Sequence, residues 1–260
     1  MKALLCIFFA LLALSSCAPT HSQLVTLSSN DLKPSPQQGL VHENDTLRLT
    51  YRFFSERGVV HFTIENKLNK PLYVDWKRSA FIVGKDKVDY WRDEAEVNLG
   101  GRANTLAIVG FWNKTWLRVN GVIQKANPVD YIPPGTAIEC DQFLVVPERA
   151  LWLPGQFVAK EATSLIPDRQ KPVTIQTYAY TPDTSPLAFR NYLTLSVDKN
   201  FTSEFVLDNR FWASGVQVMP YLQLSGGRTW MGTDVANPSV LRLSPYYRPD
   251  AFFVNYTPAR

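Results

Sequence analysis

The sequence predicts an all-β protein, an antiparallel β-sandwich-like domain on a flexible N-terminal tether, and three observations carry that expectation. Apolar and polar residues alternate with period two in run after run, as where Leu47, Leu49, Tyr51 and Phe53 are interleaved with Arg48, Thr50 and Arg52. Short clusters of Pro, Gly, Asn and Asp separate these runs at the spacing of a sandwich. No stretch keeps a helical period for long without a proline or glycine; residues 147–153 offer one turn at most. The 260 residues are 45% hydrophobic and 13% aromatic, enough to fill the core of one large all-β domain or two smaller ones.

The chain opens with a leader. Lys2 supplies a positive start, and residues 3–14 are unbroken by any polar side chain. That length suits a signal-peptide core and falls short of the roughly 20 apolar residues that span a bilayer. Leu14-Ser15-Ser16-Cys17 closes the run. The pattern leucine, small, small, cysteine resembles the lipobox of bacterial lipoproteins. The resemblance implies cleavage before Cys17, which would carry a diacylglycerol thioether, so that residues 1–16 are the signal peptide and the membrane is a partner through the lipid. An ordinary secretory leader cut after Ala18 is the alternative, and Pro19 after that bond argues against it. By analogy with lipoprotein sorting, Ala18 in place of aspartate implies the outer membrane, and the absence of an acidic cluster after Cys17 implies its periplasmic face.

Residues 17–45 read as the lipidated tether: Ser, Thr, Pro and Gln dominate, Pro34 and Pro36 interrupt them, and a docked strand around residues 24–27 is the one structured option. A flexible stretch of this length would reach about 30 Å. The folded domain is expected over residues 46–257. Its first hairpin pairs residues 47–53 with 60–65 around a turn at 55–58, which lets Arg48 or Arg52 meet Glu65 on a wet face. Turns at 66–71 and 84–87 bound strands at 72–76, 79–83 and 88–91.

Residues 66–91, NKLNKPLYVDWKRSAFIVGKDKVDYW, resemble small uncharacterised lipoproteins of Bacteroidota in their asparagine turn, their KPLYVDW strand and their SAFIV strand. That resemblance implies an immunoglobulin-like or related sandwich and no known activity. It covers about a tenth of the chain and carries no catalytic motif.

Residues 92–105, polar and bearing Gly100-Gly101, read as a mobile loop, with strands to follow at 106–111 and 116–123. Pro133-Pro134-Gly135 is a turn before a long strand at 136–146. Further strands are expected at 173–180, 192–197, 201–207 and 216–224, with Leu193, Leu195 and Val197 set opposite Phe205 and Leu207 in a hairpin. Residues 252–256 would close a sheet edge. Two sub-domains meeting near 148–171 are the alternative to one domain.

Charge and cysteine narrow the chemistry. The formal net charge is +4, interspersed along the chain, and Lys67, Lys70, Lys77 and Arg78 form no dense stripe, so a nucleic-acid partner is not expected. Cys6 leaves with the leader and Cys17 is taken by lipid, so Cys140 has no partner and reads as an inert core thiol. His21, His42 and His61 lack ligand spacing, and Asp93, Glu94 and Glu96 read as a solvated loop, so neither a metal nor any other cofactor is expected. No nucleophile elbow or phosphate loop is present, and no catalytic residue can be assigned.

Two readings of function follow. The first is a non-catalytic binding or structural module of the envelope, with a protein partner in an envelope complex. Aromatic side chains would make its contacts, and Trp112 and Trp116, flanking Asn113-Lys114-Thr115, are the candidates for ligand or partner contact. The rival is an envelope glycan-processing enzyme using a carboxylate pair drawn from Asp75, Asp89, Asp130 and Glu139. A carboxylate pair in a cleft would favour the second, and a flat apolar patch the first.

Overall fold

Period-two alternation becomes two packed antiparallel sheets. The computed structural model describes residues 21–91, 95–105, 115–125, 127–146, 150–227 and 244–258. Among the described residues the strands run in chain order β1 (His21–Ser28), β2 (Lys33–Ser35), β3 (Gly39–Glu43), β4 (Leu47–Arg52), β5 (Val59–Asn66), β6 (Leu72–Val83), β7 (Asp86–Asp89) and β8 (Ala95–Thr105). Then come β9 (Thr115–Lys125), β10 (Val129–Ile132), β11 (Ala137–Leu144), β12 (Val158–Ala162), β13 (Val173–Ala179), β14 (Ala188–Ser196) and β15 (Glu204–Pro220). A single helical turn, α1 (Tyr221–Leu224), precedes β16 (Ala251–Tyr256).

The smaller sheet has the order β11-β5-β4-β3-β2. The larger follows β10-β6-β14-β15-β1-β16, with β7 beside β6, β13 beside β15 and β12 beyond β13. It takes strands from both sides of residues 148–171. Strands β8 and β9 form a separate hairpin.

The expected registers are present. Leu49 faces Ile64 and Arg48 faces Glu65 across β4 and β5. Leu193 faces Leu207 and Leu195 faces Phe205 across β14 and β15. The inward residues of both sheets form one core, in which Leu49, Tyr51, Phe62 and Ile64 meet Val25, Val74, Leu193, Phe211 and Phe252, all essentially inaccessible. Burying each such side chain stabilises the fold by about 1.5–3 kcal/mol. The opposite face of the larger sheet has two characters. Over β14 and the first half of β15 it is wet, with Arg190 forked onto Asp208. Towards β1 and β16 it carries a second apolar cluster of Leu24, Ile175, Met219, Leu224 and Phe253.

Three expectations need correction. Residues 21–45 are part of the fold rather than a tether, because β1 lies between β15 and β16 with Leu24, Val25 and Leu27 buried. The docked strand expected around Leu24–Leu27 is therefore real and longer, and polar Ser22 and Gln23 beside it are buried because each finds a partner, Asn255 and the Leu151 backbone. The stretch 92–105 forms a strand from Ala95 onward, its Gly100 and Gly101 set opposite Asn120 and Val119 in the ladder. The strands expected at 72–76 and 79–83, and those at 201–207 and 216–224, are joined across the residues left between them: β6 and β15 run on, with register shifts that absorb the irregular residues. The strand expected at 106–111 lies outside the described residues.

Candidate functional site

A cleft of about 530 Å³ opens on the second face of the larger sheet, beside the smaller apolar cluster. Register builds its floor. Leu24, Gln217 and Thr177 stand abreast on β1, β15 and β13, and Thr26, Gly215 and Ala179 form the next such row on the same face. Paired residues of antiparallel strands share a face, so these two rows point together into the cleft. Gly215 and Ala179 keep the floor low, and a bulge at Ser214 turns that hydroxyl onto Ser28 and the Thr26 carbonyl.

One wall is the segment from Pro245 to Arg248, which is held in place by its own contacts. The Tyr247 ring meets Phe54 edge-on at 4.9 Å. Gln223 donates to the Tyr246 hydroxyl at 2.9 Å, and the Ser244 hydroxyl donates to the Leu224 carbonyl. Arg248 is forked onto Asp250. On the floor, the Thr177 hydroxyl is buried and has no hydrogen-bond partner. A buried unpaired hydroxyl costs roughly 1–3 kcal/mol unless something supplies the missing bond. The cleft therefore offers a hydroxyl, an amide and tyrosine rings, the set that suits a neutral ligand rich in hydroxyl or amide groups.

The residues singled out from the sequence lie elsewhere. Cys17 and Trp112 are outside the described residues. Trp116 pairs with Asn104 in the β8–β9 ladder, and its side chain is outside the description. Asp75 is bonded to Arg78 at 2.7 Å, and Asp130 accepts from the Trp76 indole at 2.7 Å. These two carboxylates sit on opposite faces of the larger sheet, because Asp130 pairs with Val74, the neighbour of Asp75. Asp89 pairs with Lys87, and Glu139 stands opposite Thr63 on the smaller sheet.

Among the described residues no group of three or more His, Cys, Asp or Glu side chains is placed to hold a metal. His61 meets the Arg52 guanidinium at 2.9 Å; burial first, then that positive neighbour, pull its pKa below the usual imidazole value. Cys140 is half-buried against the core, and burial pushes its thiol up to about 12, which makes it a poor nucleophile.

Sequence reasoning passed over Thr177, Gly215 and Gln217. A glycine inside an otherwise apolar strand signals a bulge or a close approach, and Gly215 between Ser214 and Val216 is that signal. Trp152, one of the chain's seven tryptophans but not chosen as a contact candidate, is 86% exposed. Comparison with the models of known protein families, with curated proteins and with solved structures finds no match to this chain.

Proposed function

We propose that this chain is a lipid-anchored protein of the bacterial envelope, held through Cys17 on the periplasmic face of the outer membrane, and that it acts as a non-catalytic binding module. The lipobox-like Leu14-Ser15-Ser16-Cys17 after an apolar run of signal-peptide length supports the anchor. The resemblance of residues 66–91 to Bacteroidota lipoproteins agrees with it. The observation that carries the binding role is the cleft over β1, β15 and β13, with its unpaired Thr177 hydroxyl beside Gln217 and a tyrosine wall. Asp75, Asp89 and Asp130 are each engaged with another side chain, which leaves the cleft groups better placed for a ligand.

Two measurements test the two halves of this reading. Mass spectrometry of the processed protein is expected to find a diacylglycerol-modified Cys17 at the amino terminus, and Cys17→Ala is expected to leave the membrane fraction. An unmodified amino terminus beyond Cys17 would make the protein a soluble secreted one. For the cleft, a leucine at position 215 would rise from the floor, where a Cβ meets nothing nearer than the Tyr178 carbonyl at 3.6 Å. Purification from detergent-solubilised membranes is expected to retain a stoichiometric companion or bound glycan with the wild type and to lose it with Gly215→Leu. Equal retention by both proteins would move the binding surface away from the cleft.

A further inference from the structure

We propose that Trp152 is a membrane-docking side chain, seated at the boundary between headgroups and acyl chains, where it sets the orientation of the domain on its bilayer. The inference rests on the lipid anchor proposed above and adds to it the face that meets the membrane.

Trp152 is a large apolar side chain that stands 86% exposed. Its backbone is nevertheless held on both sides. The Leu151 N–H donates to the Gln23 side-chain carbonyl at 2.7 Å, and the Gln23 amide donates back to the Leu151 carbonyl at 2.9 Å. Gln23 is itself buried in β1. Leu151 and Leu153 pack against the main core, and the Pro154 carbonyl accepts from the Tyr180 hydroxyl. An indole displayed on a fixed backbone, with both neighbours turned inward, loses little conformational freedom when it binds. Phe157, 46% exposed, packs on the Tyr178 ring, which stacks in turn on Tyr180.

The anchor supplies the occupant. Cys17 precedes His21, the first residue of β1, by four residues, so the two Cα atoms are at most about 14 Å apart however the intervening chain runs. Gln23, which grips Leu151, is only two residues further along β1, about 7 Å. A domain so tightly leashed must lie against the headgroups, and the leash enters the strand that positions Trp152. Tryptophan is the side chain that favours this zone, apolar in its body and able to hydrogen-bond at the indole N–H. The docking is therefore apolar, and neither salt nor anionic lipid should change it much.

The test uses the acylated full-length protein in phosphatidylcholine vesicles whose acyl chains are brominated near the headgroup. Sedimentation reads the anchor, and quenching of tryptophan emission reads the docking. Wild type and Trp152→Ser should sediment alike, while the quenched part of the emission falls by about half or more in the variant. An intact fold in the variant, expected for so exposed a position, is checked by circular dichroism. Protein that carries no lipid and stays in the supernatant overturns the anchor and the docking together. Protein that sediments with equal quenching in both forms overturns the docking alone. Self-association that Trp152→Ser abolishes, without a change in quenching, assigns the side chain to a contact between copies and likewise overturns the membrane assignment.

Discussion

Tyr51 joins the two sheets by more than its ring. Its hydroxyl donates to Asn209 Oδ1 at 2.9 Å and accepts from Asn191 Nδ2 at 2.8 Å, while the Tyr90 hydroxyl donates to Asn191 Oδ1 at 2.7 Å. Both asparagines are buried, and β14 and β15 set them directly opposite one another. Burial pushes the Tyr51 hydroxyl far above the usual phenol range, so it remains a donor at every pH of interest. Tyr51→Phe keeps the ring and strands a carbonyl and an amide hydrogen in the core, so it should cost about 1–3 kcal/mol. Urea titration should show this as a lower midpoint with an unchanged slope, and a change in slope would mean that the native state itself had loosened. Gly39 matters for a different reason. Its φ is +98°, and a Cβ there would fall 2.0 Å from the Tyr51 carbonyl oxygen. Because that obstacle is backbone, Gly39→Ala should destabilise by about 2 kcal/mol or more. A melting temperature within a degree of wild type would contradict the tight approach of β3 to β4.

Hairpins were legible from the sequence where alternation and turn chemistry agreed. Leu193 and Leu195 fell opposite Leu207 and Phe205 because Asp198-Lys199-Asn200 announced the reversal between two apolar runs. Asp198 does the work of that turn. Its carboxylate accepts from the backbone N–H groups of Asn200, Thr202 and Ser203 and from the Thr202 hydroxyl. Desolvation pulls its pKa upward, but those donors together outweigh it and hold the value down to about 2. The folded pKa then lies below the unfolded value of about 3.9, so the carboxylate stabilises the fold above that value and the contribution drains away as pH falls towards 2. The midpoint gap between wild type and Asp198→Asn should hold steady near neutral pH and close between about pH 4 and 2. A gap that persists at pH 2 would assign the effect to packing. Elements were missed where composition hid the period. In β8, Ala95, Val97, Leu99, Gly101 and Ala103 do alternate with Glu96, Asn98, Gly100, Arg102 and Asn104, but small and polar side chains kept the amplitude low. In β15, residues 208–215 were left unassigned between the strands expected at 201–207 and 216–224, although a bulge at Ser214 carries the strand through them.

At the scale of the whole molecule, strand content was legible and strand order was not. Nothing local says that a stretch read as Ser- and Gln-rich linker will insert between two strands from the far end of the chain. That choice is made by Leu24, Val25 and Leu27, three apolar residues among polar ones, and by buried Ser22 and Gln23, which find partners only in the finished fold. The cleft was hidden for the same reason, since its floor joins β1 to β13 and β15. Placing β1 there has a consequence for any shortened form of the protein. A chain that begins at residue 18 keeps every described strand and should fold. A chain that begins at Ser29 keeps β2 and β3 but leaves the second half of β15 and all of β16 without the strand between them. It also loses three buried side chains worth about 1.5–3 kcal/mol each, some 5–9 kcal/mol together, against a total stability of about 5–15 kcal/mol for a typical domain. The shorter chain should therefore show no cooperative thermal transition and should associate through the exposed strand edges. A synthetic peptide of residues 18–28 added in trans should restore the transition in proportion to its concentration, as mass action requires. A cooperative melt from the Ser29 chain alone would show that the two sheets hold together without β1.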